Sequence, residues 1–109
     1  MKHFLVLLFL LNSPFIKAQN TAETLIRNIM AKQEIAWNQG DFAGFMTGYW
    51  HSDSLRFIGS KGLTYGWDQT LSNYKKGYPD QDAMGVLKFT ILSVEQLSKR
   101  SAFVIGKWH

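Results

Sequence analysis

Few side chains in this 109-residue chain could move a proton. His51 and Asp53 stand two apart, a spacing at which a carboxylate can orient an imidazole that titrates near neutrality, which makes them candidates for a general base and its partner. Both fall in the polar run His51-Ser52-Asp53-Ser54, where a histidine usually faces solvent and an aspartate usually caps a turn. They are therefore weak catalytic candidates, and no matched acid and base is found elsewhere. A metal centre would need more ligands, and His3 and His109, near the two ends, hardly provide them. Neither metal nor cofactor is expected. The stronger chemistry is recognition: Trp37, Tyr49, Trp50, Phe57, Trp67, Tyr74, Tyr78 and Trp108 could line a pocket, with rings giving apolar area and N–H or O–H groups orienting a ligand. Each alone is more at home in ordinary core; as a set they predict at least a small cavity. Tyr49 and Tyr74 are the preferred polar contacts, because each can donate and accept.

The elements that must position these residues meet at Ala36 to Trp50. Gly40 fits the position just past a helix end, where positive φ is needed, and Asp41 fits the cap of the next helix. Asn20 with Glu23 three residues on resembles a capping box, and Leu25, Ile26, Ile29, Met30, Gln33, Ala36 and Trp37 keep helical spacing, so a first helix is expected over about 21–39. Phe42, Phe45, Met46 and Tyr49 follow at i, i+3, i+4 and i+7 and predict a second helix from Asp41 to about Trp50. Its Gly44 and Gly48, four apart, would let a neighbouring backbone come close. Leu55 to Gly59 and Leu63 to Tyr65 read as a short hairpin around Ser60-Lys61-Gly62. Arg56 then points outward if Leu55 and Phe57 point inward.

A third helix is expected after Gly66, with Trp67, Leu71, Tyr74 and Tyr78 on its inner face and Pro79 just beyond. Asp80-Gln81-Asp82 reads as a loop. Met84 to about Leu97 reads as a long strand whose inward parity changes near Ile91-Leu92, which predicts a bulge, and Ser101 to Trp108 as its partner after a turn at Ser98-Lys99-Arg100.

Composition sets the class. A chain of 109 residues with 46% hydrophobic and 15% aromatic content is one globular domain. Lys2, the apolar run Phe4 to Leu11 and the cleavage-like Ile16-Lys17-Ala18 predict a signal peptide over residues 1–19, with the domain over 20–109. The run is too short to span a bilayer, so the expected product is exported, periplasmic or secreted, with no membrane association after cleavage. Cleavage would leave ten basic against eight acidic side chains, and the basic residues form no stripe, so nucleic acid is not an expected partner. There is no cysteine, which excludes disulfides and thiolate chemistry.

Ala36-Trp37-Asn38, Gly40-Asp41, Tyr49-Trp50, Phe57-Ile58-Gly59, Gly66-Trp67 and Tyr74, in this order and at these intervals, resemble the SnoaL-like, nuclear-transport-factor-2-like superfamily. The branch in view is similar to exported bacterial domains of unknown function and to the association domain of calcium/calmodulin-dependent kinase. The resemblance, over about Leu25 to Trp108, implies an α+β, cone-shaped (cystatin-like) roll. In it, three helices in the N-terminal half pack on a strongly bent, mostly antiparallel sheet, with a pocket at the open end.

Such domains continue beyond a strand like Ala102 to Trp108 into two more, so the resemblance also implies a fragment whose last strands are missing. Steroid-isomerase-like relatives carry an aspartate base on the first strand; Phe57 or Ile58 falls there in this chain, and neither can move a proton. The resemblance therefore implies a binder of a small apolar or aromatic molecule, a dimerising module, or both. An isomerase, dehydratase or hydrolase of a small hydrophobic substrate is the alternative, and an association module a further one. A homodimer would use the outer sheet face, with Arg56, Lys88, Thr90 and Phe103 as contacts.

Overall fold

A computed structural model describes the backbone of residues 14–109 and the side chains from Thr21 onward. Lys2 and Phe4 to Leu11, the charged start and apolar run of the expected signal peptide, lie outside the described residues, as does His3. Helix α1 (Pro14–Asn38) covers 25 residues, so the expected start at Thr21 with Asn20 as cap is corrected. Proline is compatible with a first helical turn, and no glycine or further proline between Phe15 and Asn38 interrupts the ladder. On its exposed side Arg27 Nε donates to Glu23 at 2.9 Å, one turn away. No helix among the described residues is long and apolar enough to cross a membrane.

Helix α1 ends as its sequence requires. Gly40 takes φ 76°, its N–H donates to Trp37 O at 2.9 Å and Asp41 N–H donates to Ala36 O at 2.8 Å, which is the paired closure of a Schellman motif. Asp41 then caps helix α2 (Phe42–Met46), its Oδ1 accepting from Gly44 N at 2.9 Å. Helix α2 stops well short of the expected Trp50. Thr47 Oγ1 donates to the Gly44 carbonyl at 2.7 Å, and the chain turns through Gly48. The two glycines do admit close neighbours, but these are side chains and not backbone. A Cβ on Gly44 would strike the Asp41 carboxylate, and one on Gly48 would lie 2.5 Å from Gln33 Nε2.

Strands β1 (Arg56–Gly59) and β2 (Gly62–Tyr65) form the expected hairpin, with Phe57 opposite Thr64. Helix α3 (Trp67–Gly77) starts from Gly66 at φ 90° and carries Lys75 and Lys76 in its last turn, where cations meet the negative end of the helix dipole. The expected loop at Asp80 is instead a short helix α4 (Gln81–Met84), because the Asp80 carboxylate accepts from Ala83 N at 2.8 Å.

Strand β3 (Phe89–Ser98) begins five residues later than the Met84 start expected: Met84 belongs to α4 and Gly85 turns the chain at φ 64°. The lead-in is held to α1 by side chains acting as strand edges. Asn38 Oδ1 accepts from Leu87 N at 2.7 Å while its Nδ2 donates to Leu87 O at 3.0 Å, and Glu34 Oε2 accepts from Phe89 N at 2.8 Å.

Strand β4 (Ser101–Trp108) pairs antiparallel with β3, and the register shifts between Ile91 and Ser93, where the bulge is expected, and again between Gln96 and Ser98. Thr90, Ser93, Phe103, Ile105 and Lys107 thus share the outer face, and Phe89, Ile91, Val94 and Val104 the inner one. The class is α+β, with four helices among the described residues where three were expected. The described strands form two separate antiparallel pairs.

The core sits at the corner. Ala36, Trp37, Phe45, Met46 and Met84 are buried, with Phe42, Tyr49, Trp67, Leu71, Tyr74, Tyr78, Leu87 and Phe89 packed around them. Met46 has 0% exposure, a burial that contributes about 1.5–3 kcal/mol.

Candidate functional site

Trp37 is the hub of the aromatic cluster. Its ring meets Phe42, Phe45, Tyr74 and Tyr78 edge to face at centroid distances of 5.7, 5.2, 5.5 and 5.1 Å. Its Nε1 donates to Met84 O at 3.1 Å, and Trp67 Nε1 donates to Met46 O at 2.8 Å. Both indole N–H groups are thus spent on backbone carbonyls and are not free to orient a ligand. Phe57 joins the cluster through Tyr49 at 6.0 Å and Tyr74 at 5.8 Å. Trp50, 65% exposed, stands outside it.

Beside this cluster a cleft of about 350 Å³ opens between α1, the exit from α2 and the start of β3, lined by Ile26, Ile29, Met30, Gln33, Gly48, Tyr49 and Phe89. A smaller cleft of about 190 Å³ adjoins it through Met30 and Phe89 and is lined by Trp108 together with Thr90, Val104, Gly106 and Lys107. Of the eight aromatics expected to line a pocket, Tyr49 reaches the larger cleft and Trp108 the smaller. Trp37, Phe57, Trp67, Tyr74 and Tyr78 form the packed wall behind them. Gln33 was not singled out from the sequence as a site residue. The signal was a lone amide on the apolar stripe between Met30 and Ala36. It is 7% exposed and its Nε2 donates to Phe45 O at 3.2 Å.

Gln33 and Tyr49 are the polar side chains of the cleft, and Tyr74 stands in the wall behind them. Burial pushes the Tyr49 hydroxyl above its ordinary value of 10.0, and hydrogen bonds with Tyr74 and Gln33 partly offset that. Tyr74 is raised further, first by burial, then by the unfavourable proximity of a Tyr49 phenolate and by its own hydrogen bond to Tyr49. At neutral pH both are protonated phenols, and both can donate.

His51 and Asp53 are placed apart from this cleft. The imidazole stacks on Trp67 at 3.7 Å and 20°, with Nε2 3.7 Å from Asp68 Oδ1, so its acidic neighbour is Asp68 and not the expected Asp53. The stack wins because Gly66 N–H donates to Leu55 O at 2.8 Å and Trp67 N–H donates to Ser52 O at 3.1 Å, which brings the start of α3 against the His51 loop. Arg56 points outward over the Tyr65 ring at 4.3 Å. Among the described residues no three His, Cys, Asp or Glu side chains gather to hold a metal ion.

A long helix closed by a Schellman corner, a capped second helix, a short hairpin, a third helix and a long bulged hairpin define an α+β domain with its aromatic core at the corner. The chain is similar to a solved structure, an NTF-2-like protein of unknown function from Shewanella oneidensis MR-1, at 44% identity and a TM-score of 0.72. The match covers 76% of this chain and 69% of that one. The chain belongs to the nuclear-transport-factor-2-like superfamily. No protein-family model matches it, and no curated protein does.

Proposed function

We propose that the protein binds a small apolar or aromatic molecule in the cleft between α1 and β3. The observation that carries this reading is the cleft itself: about 350 Å³, walled by Ile26, Ile29, Met30 and Phe89, with Gln33 and Tyr49 as its polar groups. That volume and that ratio of apolar wall to polar anchor suit a small-molecule site. A cone-shaped sheet around α1, with the cleft at its open end, is part of the proposal and draws support from the superfamily. Export is part of it too, and rests on the sequence of residues 1–19. The isomerase, dehydratase or hydrolase alternative has less support, since no Asp, Glu or His lines the cleft and His51 and Asp53 lie elsewhere.

The test is thermal unfolding of the full-length protein with a panel of hydrophobic metabolites, since a ligand that prefers the native state raises the melting temperature. A dose-dependent rise with apolar compounds is expected, and no rise with any of them would count against binding.

Dimerisation is a second reading, supported by apolar side chains on the outer face of β3–β4: Phe103 is 55% and Ile105 47% exposed, flanked by Thr90. Lys88 and Arg56 remain its candidate flanking contacts. Light scattering that finds only monomer at high micromolar concentration would exclude a stable dimer.

A further inference from the structure

Met30 and Phe89 are the lining residues that the two clefts share, and they differ in freedom. Phe89 is held on both sides: its N–H donates to Glu34 Oε2 at 2.8 Å, and it pairs with Trp108 across the β3–β4 ladder. Met30 is half-buried in the middle of α1, and its unbranched side chain changes shape by rotation about its own bonds. Met46 and Met84, by contrast, are 0% and 8% exposed and locked in the core.

Ile26, Ile29, Met30 and Gln33 follow one another at i, i+3, i+4 and i+7, so the larger cleft runs along α1 for about 10 Å. Beyond Met30 the smaller cleft turns across the paired strands. On β4, Gly106 stands between Val104 and Trp108 on one face and presents no side chain, which leaves the floor of that cleft open. Gln33 and Tyr49 reach only the larger cleft, and the surface of the smaller one is chiefly apolar.

Resting on the cleft-binding reading above, we propose that Met30 is a movable divider and that the two clefts together take a single unbranched hydrocarbon chain, its polar end in the larger cleft and its tail past Met30 over Gly106. A compact molecule stops at Met30. A chain long enough to pass it displaces a flexible thioether and gains the apolar surface of the second cleft.

The test uses the full chain and the straight-chain alcohols from hexanol to dodecanol, with 1-adamantanol as a compact comparator. Extended hexanol matches the run along α1, and dodecanol overruns it. Affinity should rise about two- to fourfold per added methylene through dodecanol, the upper value being full burial of each group. 1-Adamantanol should bind more weakly than decanol, which has the same number of carbons. Val104→Trp, which fills the smaller cleft, should bring dodecanol down to the affinity that hexanol has for the wild type. The methyl carbon resonance of Met30 should move when dodecanol is added and not when hexanol is, as should the amide resonances of Val104 and Gly106. An affinity that levels off at hexanol, or a Val104→Trp variant that binds dodecanol as the wild type does, overturns this inference and leaves the cleft-binding reading standing. Failure of every alcohol to bind overturns it too, and removes the cleft-binding reading only if the metabolite panel also raises no melting temperature. If Val104→Trp does not fold, the resonances decide the matter: equal shifts with hexanol and dodecanol, or none at Met30 and Gly106 with either, overturn the inference.

Discussion

Replacing Trp37 by alanine removes the residue on which four helices converge. The side chain is 7% exposed, meets four rings within 5.7 Å and donates to Met84 O at 3.1 Å. Truncating a buried tryptophan costs about 3–5 kcal/mol through lost transfer energy and the cavity left behind. The upper end is expected for Trp37→Ala, because the Met84 carbonyl also loses its donor, a loss that on its own costs about 1–3 kcal/mol in a buried setting. A domain of this size is held by about 5–15 kcal/mol, so the variant should be close to unfolding. Trp37→Phe keeps most of the ring contacts and loses the N–H, so its cost should lie near the carbonyl penalty alone. Urea unfolding followed by far-ultraviolet circular dichroism, which does not depend on the deleted fluorophore, gives the midpoint and slope for each variant. A loss below about 1 kcal/mol for Trp37→Ala would refute the placement of this indole at the centre of the core.

Gly106 faces Thr90 O across the bulged hairpin, and a Cβ there would sit 2.9 Å from that backbone oxygen, so Gly106→Ala should cost about 1–3 kcal/mol in urea unfolding as the strands are forced apart. Asn38→Ala removes both hydrogen bonds to Leu87 and should cost about 1–3 kcal/mol, with faster hydrogen exchange at the Leu87 amide as its local signature. Tyr49 and Tyr74 are raised above 10.0 in the folded chain because burial disfavours their phenolates. The folded state therefore holds these protons more tightly than the unfolded one: their contribution is fully present below pH 10.0 and is lost as the pH rises above it. A double variant Tyr49→Phe, Tyr74→Phe should show a flatter loss of stability on the alkaline side, and an equal slope in the two proteins would contradict the burial of these hydroxyls.

The corner was legible because its signals are local and agree. Gly40 and Asp41 carry the helix stop and the next cap in adjacent residues, and the bulge at Ile91 was written in the parity of inward side chains. The elements that were misread depend on competition between such signals. Asn20 is a good cap, yet the ladder through Ala18 and Thr21 runs on without it. Gly44 and Gly48 sit at helical spacing, but Thr47 closes the turn before Gly48 can extend it. Asp80 reads as a loop residue until its carboxylate finds Ala83 N. The delayed start of β3 depends on Asn38, 49 positions away in sequence from Leu87, a contact that no local pattern encodes. Of the two tyrosines preferred as polar contacts, Tyr49 reaches the cleft and Tyr74 packs in the core behind it. Indole N–H groups read as ligand contacts in the sequence, but in the fold Met84 and Met46 carbonyls claim two of them.

The most direct test of the cleft as a binding site is to fill it without disturbing the core. Ile29 lines the cleft and is 44% exposed, so a larger side chain there can enter the cleft without displacing a buried neighbour. Equilibrium binding of hexanol should be saturable on the wild type and lost on Ile29→Trp, with the urea midpoint moved by no more than about 0.5 kcal/mol, as for a surface substitution. Undiminished binding to a stable Ile29→Trp variant would place the ligand elsewhere and contradict the account.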